Sequence, residues 1–512
     1  MKQKRFLEKK ATFPQITMEF ITIVILLLSC LPYFYRIDSL PIQLWDESRV
    51  SMNALCMYYN GDWGMTYFFD EPDMWNTKPP LLIWLQVFFM KILGPKELAI
   101  RLPSALAAVG ANALLFWTAR KIYGNNLSGI IAVFILVTSP LFVNIHGVRT
   151  GDYESLLLFL VCCFVVFSFF CSIEYRKGQI RQAHRYLYIS SLALSLAVLT
   201  KGVQPLIIAP AVLAFVLSYG GAKRILKDKH LYFAFLLFVL IAGAWYFGRE
   251  IKSAGYLQAI SETELGGRFF DSDSLVNRKQ AHFYLTYLWN EYPWGTAIFG
   301  GSFLFAILCR RKTSRQFALY LAFCIVFYLS ILSMATTKIW WYMLPILPLM
   351  GLIIAGIGVP ITHRLKKIYS PSSVSSISLF LVVLFFAIPF ANIMKNIKNN
   401  EFELFYQAQD DFGNYLRRLT KTEDAQEVLT NPMILVYGED HYSRAHLNFY
   451  LLQLQKKGVK IRYKEREELQ SGDFICVAEQ WVQEYVEAHY RCEMVGEEGK
   501  NMKFLRILER NE

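Results

Sequence analysis

About eleven apolar runs, each close to the roughly 20 residues that a helix needs to cross a hydrocarbon layer, constrain this chain more than any other feature. They fall near residues 16–35, 99–119, 127–145, 155–173, 186–200, 203–219, 231–249, 294–309, 316–334, 339–358 and 375–394. With 54% hydrophobic and only 18% charged residues, a soluble globule is excluded, and the expected class is an α-helical polytopic membrane protein. The formal net charge of +12 does not point to nucleic acid, because the lysines and arginines form short clusters between apolar runs, as cytoplasmic loops do. The cysteines sit mostly inside apolar runs, where they behave as small buried hydrophobes, and no spacing resembles a metal cluster.

Charge asymmetry orders the runs. The basic N-terminus, MKQKRFLEKK, followed by a long apolar segment, reads as a retained signal anchor. The run Leu81–Leu93 is short and closed by Gly94-Pro95, so it reads as an interfacial helix within a first outer loop, 36–98. On that reading the clusters at Arg120-Lys121, Arg176-Lys177, Lys223-Arg224, Arg310-Arg311-Lys312 and Lys366-Lys367 all fall on the side of the N-terminus. The opposite side then receives 36–98, 146–154, 201–202, 250–292, 336–338 and everything after about 395. The expected division is a transmembrane domain over 1–394 and a small extracytoplasmic α/β domain over 395–512, where short β-rich runs alternate with helical ones. Cys476 and Cys492 in that tail are either a disulfide or two thiols.

The outer segments carry the chemistry-bearing residues. Asp46 and Glu47 follow the first run. A carboxylate at an apolar boundary can take a proton from a hydroxyl, and it can equally cap a helix. Asp152 in RTGDYES stands where an N-cap belongs, and an acid at the membrane boundary is also a functional candidate. Arg49, Lys78, Arg268 and Lys338 are cations on the side that the positive-inside tendency avoids. Singly each fits a headgroup contact; together they fit a lipid phosphate. Tyr342 follows Lys338 by one helical turn inside TTKIWWYMLPILPLM, a segment that also reads as an aromatic belt.

The order LWDESR, NTKPPLLIW, RLPSALAA, RTGDYES, ELGGRFF and TTKIWWYMLPILPLM resembles the membrane glycosyltransferases of the GT-C superfamily, bacterial lipid A aminoarabinose transferases and protein O-mannosyltransferases above all. The resemblance implies a GT-C fold of about 11–13 transmembrane helices and a multi-pass place in the cytoplasmic membrane with the site facing outward. It also implies an inverting transfer of a sugar from a polyprenyl-phosphate carrier to a lipid, glycan or protein acceptor. By match of motif, Asp46 would be the base, with Glu47 beside it and Asp152 as a second acid. Arg49, Lys78, Arg268, Lys338 and Tyr342 would hold the donor phosphate. No cofactor is certain from the sequence. Aminoarabinose transferases carry a metal-linked glutamate before the motif lysine and a histidine in the ELGGRFF loop; here Thr77 and Leu265 stand there, which leaves a divalent metal open, with His282, Glu262 or Glu264 as other ligands. A transporter or flippase of lipid-linked sugars is the alternative, and it would place ionisable groups along a midplane path rather than at one rim.

Overall fold

The computed structural model describes residues 13–270, 279–308, 311–399, 407–421, 433–436, 445–498 and 501–511. The expected runs are helical in it. The helices that build the bundle include α1 (Phe13–Ser29), α2 (Asp46–Asn60), α3 (Leu81–Leu93), α4 (Glu97–Tyr123), α5 (Asn126–Val137), α6 (Glu154–Lys177), α7 (Ile180–Lys201), α8 (Ala209–Gly220), α9 (Lys229–Lys252), α10 (Pro293–Leu308), α11 (Lys312–Met334), α12 (Leu347–Ile354) and α13 (Pro371–Asn399). Among the described residues, six stretches are long and apolar enough to cross a membrane by themselves, α4, α6, α9, α11 and Trp340–Leu365 among them. At about 1.5 Å per residue, α3 is too short for a hydrocarbon layer of about 30 Å.

Burial sorts the helices. α6 is enclosed almost throughout, with Leu157, Leu158, Val165, Val166 and Phe169 at 0% exposure, and packs between α4, α7 and α8. α9 instead exposes Phe235 (64%) and Phe247 (65%), the pattern of a helix whose outer face meets lipid rather than water. Left-handed glycines stop the spans where the basic clusters lie: Gly178 closes α6 at φ +76°, its N–H returning to Tyr175 O, a conformation that an L side chain resists.

The tail forms a mixed five-stranded sheet in the order β4-β3-β5-β7-β6, after a two-residue hairpin of β1 (Tyr67–Phe68) and β2 (Glu71–Pro72) in the first outer loop. Its strands are β3 (Met433–Val436), β4 (Ile461–Lys464), β5 (Phe474–Val477), β6 (Tyr490–Glu498) and β7 (Met502–Arg510). β3 runs parallel to β4 and β5; β7 runs antiparallel to β5 and β6. Alternation puts Ile434, Val436, Ile475 and Val477 into one small core with Val482 and Val486, while Met433, Leu435 and Cys476 belong to the main core on the other face. Cys476 and Cys492 are not joined in a disulfide and lie on strands separated by β7.

The helices α14 (Gln407–Lys421) and α15 (Ala445–Lys456) carry this sheet against the first outer loop. Tyr450 Oη donates to Glu97 Oε1 at 2.7 Å and accepts from the Ile42 N–H at 2.8 Å. Arg417 donates to Ser39 O at 2.8 Å. The tail therefore sits at the same end of the bundle as Asp46.

Candidate active site

Trp45 precedes α2 with φ +70°, a conformation that a bulky residue adopts only where tertiary contacts impose it. The turn launches Asp46 and Glu47 about 100° apart around the new helix. Glu47 points inward. Its carboxylate accepts from Arg101 Nε at 2.7 Å and Nη2 at 3.0 Å, from the Gln43 N–H at 2.7 Å and from the Gly151 N–H at 2.7 Å, and both ion-pair partners are 1% exposed. Glu47, expected beside Asp46 as a catalytic group, thus has both oxygens engaged within the protein and ties the loops together.

Asp46 points the other way and is 30% exposed. One of its oxygens lies 3.8 Å from His146 Nδ1, which bonds Asp152 Oδ2 at 2.7 Å. Asp152 is 1% exposed; its backbone carbonyl accepts from Ser104 Oγ at 2.9 Å, so α4 fixes it. Gly151 is required beside it, since a Cβ there would meet Ile100 Cγ2 at 2.3 Å. His146 (φ +63°) stacks on Trp341 at 3.8 Å with the ring planes 16° apart, so the WWY segment reaches the same rim.

Burial alone would lower the His146 pKa, but the Asp152 hydrogen bond and the charges of Asp152, Asp46 and Glu154 prevail and raise it. Burial, then the charge of Asp46, raises that of Asp152, against the pull of His146. A folded-state value above the unfolded one means extra protons held by the folded chain, so the stability contributed is lost as pH rises through the folded value. In metal-free buffer the thermal midpoint should fall between about pH 6 and pH 8, and His146→Gln should flatten that slope. An identical slope in the variant would remove His146 from the account.

The cations divide. Lys78 Nζ lies 5.6 Å from the centre of the Tyr153 ring, one residue from Asp152, while Asn76 donates to Tyr153 Oη at 3.0 Å. Arg49 donates through Nε and Nη2 to Asp73 at 2.8 and 2.6 Å and lies over Phe68 at 3.6 Å. The Asp73 carboxyl, raised by burial, is brought below its ordinary value mainly by Arg49. Arg49 thereby organises the loop leading to Lys78 and offers a phosphate far less of its fork than the motif implied. Lys338 donates to Ala335 O at 2.7 Å and is 6% exposed, closing the turn before the WWY segment. Arg268 belongs to the helical segment Ser261–Phe270, and its side chain lies outside the described residues. The backbone before it is anchored to the lysine motif: Tyr256 Oη donates to Thr77 O at 2.7 Å, and the Thr77 and Thr263 hydroxyls are 3.4 Å apart.

Sequence reading missed Lys201. It ends α7, forms a buried ion pair with Glu154, and lies 4.7 Å from the centre of the Tyr342 ring. With Gln204, Glu264, Thr337 and Tyr342 it lines a pocket of about 200 Å³. Leu206 joins this pocket to an apolar groove of about 470 Å³ between α6, α7, α8 and α9, whose walls include Phe164, Leu194, Leu213 and Phe235. The usable signal was its position, a lysine on the side that otherwise avoids them. His146 was also passed over, although it opens the loop that ends in Asp152.

Ligand atoms of Asp46, His146 and Asp152 lie within 4.8 Å of one another, and two carboxylates with an imidazole suit a divalent ion. Bound there, an ion would add a fixed positive charge beside Asp46. The place of the relatives' glutamate is taken by the Thr77 hydroxyl, a poor ligand facing another hydroxyl.

Residues 77–247 match the family model described as dolichyl-phosphate-mannose-protein mannosyltransferase. An uncharacterized protein of Aquifex aeolicus is 29% identical over 42% of this chain and 40% of its own length. The undecaprenyl phosphate-alpha-4-amino-4-deoxy-L-arabinose arabinosyl transferase of Pectobacterium carotovorum is 25% identical over 68% of this chain. The chain spans about three-fifths of that relative, 61% of its length. Among solved structures, ArnT from Cupriavidus metallidurans bound to undecaprenyl phosphate superposes with a TM-score of 0.66 at 13% identity, covering 96% of this chain and 98% of that one. The archaeal oligosaccharyltransferase AglB from Archaeoglobus fulgidus, in complex with an inhibitory peptide and a dolichol-phosphate, gives 0.54 at 11% identity over 96% and 74%. The chain thus shares the fold of these two solved structures along nearly its whole length, and across 77–247 it is similar in sequence to the dolichyl-phosphate-mannose-protein mannosyltransferase family.

Proposed function

We propose that this protein transfers a sugar from a polyprenyl-phosphate carrier to a hydroxyl acceptor at the outer face of the cytoplasmic membrane. The observation that carries the reading is the adjacency, at one end of the bundle, of an exposed carboxylate, two lysines and the mouth of an apolar groove. The isoprenoid tail lies in the groove lined by Phe164, Leu194, Leu206 and Phe235. Its phosphate sits between Lys78 and Lys201, and the resemblance assigns Arg268 to the same phosphate; Lys338 and Tyr342 shape the far wall, and Arg49 supports the near one. Asp46, the accessible acid of its pair, takes the acceptor proton as the acceptor oxygen attacks the anomeric carbon. The bond from that carbon to the phosphate oxygen breaks, its electrons leave with the polyprenyl phosphate, and the configuration inverts. His146, held by Asp152, keeps Asp46 oriented. The lysines stabilise the phosphate as charge develops on the leaving oxygen.

A flippase would need no base beside the phosphate. Membrane vesicles carrying the protein and a radiolabelled polyprenyl-phosphate sugar decide between them, since only the transferase changes the donor's covalent structure. Lys78→Ala should weaken use of the donor by about tenfold to a hundredfold, the scale of one charge-assisted hydrogen bond. Donor moved across the bilayer intact, or full transfer in the variant, would overturn the reading. Mass spectrometry of envelope glycolipids and glycoproteins from cells with and without the protein would then name sugar and acceptor.

A further inference from the structure

At the other end of α7 from Lys201, about 25 Å away at 1.5 Å per residue, a second constellation has no part in the chemistry above. His184, on the second turn of α7, bonds Asp228 Oδ2 through Nε2 at 2.6 Å. Asp228 is the N-cap of α9, and its other oxygen accepts from the His230 N–H at 3.0 Å. The His184 and His230 rings stack at 3.8 Å. One ligand atom from each of the three side chains lies within 4.8 Å of the others, and all three are half-buried.

We propose that His184, Asp228 and His230 form a binding site for a divalent transition metal, zinc(II) in the first instance, that staples the start of α7 to the start of α9. Two imidazoles and one carboxylate are three protein ligands of a four-coordinate zinc site, with water as the fourth. The outer contacts are those that metal-binding histidines need: Tyr188 Oη holds His230 Nδ1 at 2.9 Å, which sets the ring and leaves its other nitrogen as the ligand. Tyr175 Oη donates to Asp228 Oδ2 at 2.9 Å and orients the carboxylate.

The surroundings also choose the ion. Arg181, Arg185, Lys227 and Lys229 flank the ligands in sequence and repel a cation held by charge alone, as calcium or magnesium is. An ion bonded strongly to nitrogen is favoured instead. Binding opens the two rings, now 30° apart, by side-chain rotation, and separates His184 from Asp228 so that the ion replaces their hydrogen bond. The consequence reaches the groove, because Tyr175 and Leu231 line its lower end. Metal would fix the separation of the helices that bracket it.

The test uses the full-length protein in detergent, stripped with EDTA and then equilibrated with zinc. His146→Ala removes the rim cluster around Asp46 from the count. That variant should still bind one equivalent of zinc and melt at a higher temperature with it. His184→Ala and His230→Ala, in the same background, should lose that equivalent, and Tyr188→Phe should bind about 10- to 100-fold more weakly. No zinc bound by His146→Ala, or equal zinc with and without His184, overturns the site. Because the first of these outcomes needs no change to the cluster itself, a ligand variant that fails to fold does not protect the proposal. Neither readout depends on sugar transfer, so its failure and that of the proposed reaction are told apart.

Discussion

Asp46→Asn is expected to lower sugar transfer by about 10²- to 10⁴-fold, the usual worth of a positioned general base, while the protein stays folded. The substitution keeps the shape of the side chain and removes one negative charge from the first turn of α2. The loss of favourable interaction with the helix N-terminus is about 0.3–1 kcal/mol, too small to unfold a bundle of this size. Size-exclusion behaviour and thermal midpoint should therefore match wild type while turnover collapses. Asp152→Asn provides the contrast. Asp152 is 1% exposed and bonds His146 rather than facing the opening, so its loss should act by positioning: a smaller fall in turnover and a displaced pH profile, with donor affinity little changed. The two losses should not add, since Asp152 acts by way of His146 on the orientation of Asp46 itself. If Asp46 does no more than cap its helix, the asparagine variant will turn over within a few-fold of wild type, and the acid assigned as base must be sought elsewhere.

What the sequence makes legible follows from the range of the interactions involved. Hydropathy is local, so the spans read out directly, and the shortness of α3 fell out of counting residues between Pro80 and Gly94. The mixed strand and helix pattern of the tail was equally local. The site is not local. Asp46, the loop of His146 and Asp152, Lys201 and Tyr342 come from four segments, and only packing around α6 brings them to one rim. Nothing in LWDESR says which of two adjacent acids faces the site; the backbone turn at Trp45 decides, and φ is invisible in a one-letter code. Arg49 and Lys338 illustrate the same limit. A cation on the outer side can serve a ligand or the protein's own carbonyls and carboxylates, and Arg49 turned out to be held by Asp73, 24 residues on. Lys201 erred in the opposite direction, passing for an ordinary lysine at a helix end although it is buried against Glu154.

Arg101→Leu should cost about 3–5 kcal/mol, the penalty for leaving one member of a buried ion pair behind, and is the most damaging single change expected outside the catalytic groups. Five hydrogen bonds leave this one guanidinium: two to Glu47, and one each to Ile37 O at 2.8 Å, Leu40 O at 3.0 Å and Pro41 O at 2.7 Å. Leucine would fill much of the volume and satisfy none of the acceptors. Glu47→Gln should cost less, about 1–3 kcal/mol, because an amide can still accept from the Gly151 N–H. Arg101→Lys discriminates between charge and geometry. A lysine restores the charge opposite Glu47, but its single ammonium cannot serve a carboxylate and three separate carbonyls at once. Stability close to that of Arg101→Leu is therefore expected of it. The measurement is the half-life of monodisperse protein in detergent at elevated temperature, which follows loss of the folded bundle directly. Wild-type persistence in the lysine variant would show that charge pairing alone holds the 37–43 loop to α4. Loss in both variants, with transfer falling in step, would show that the catalytic rim stands on a buried fork, since the same Glu47 that Arg101 grips also holds the Gly151 N–H beside Asp152.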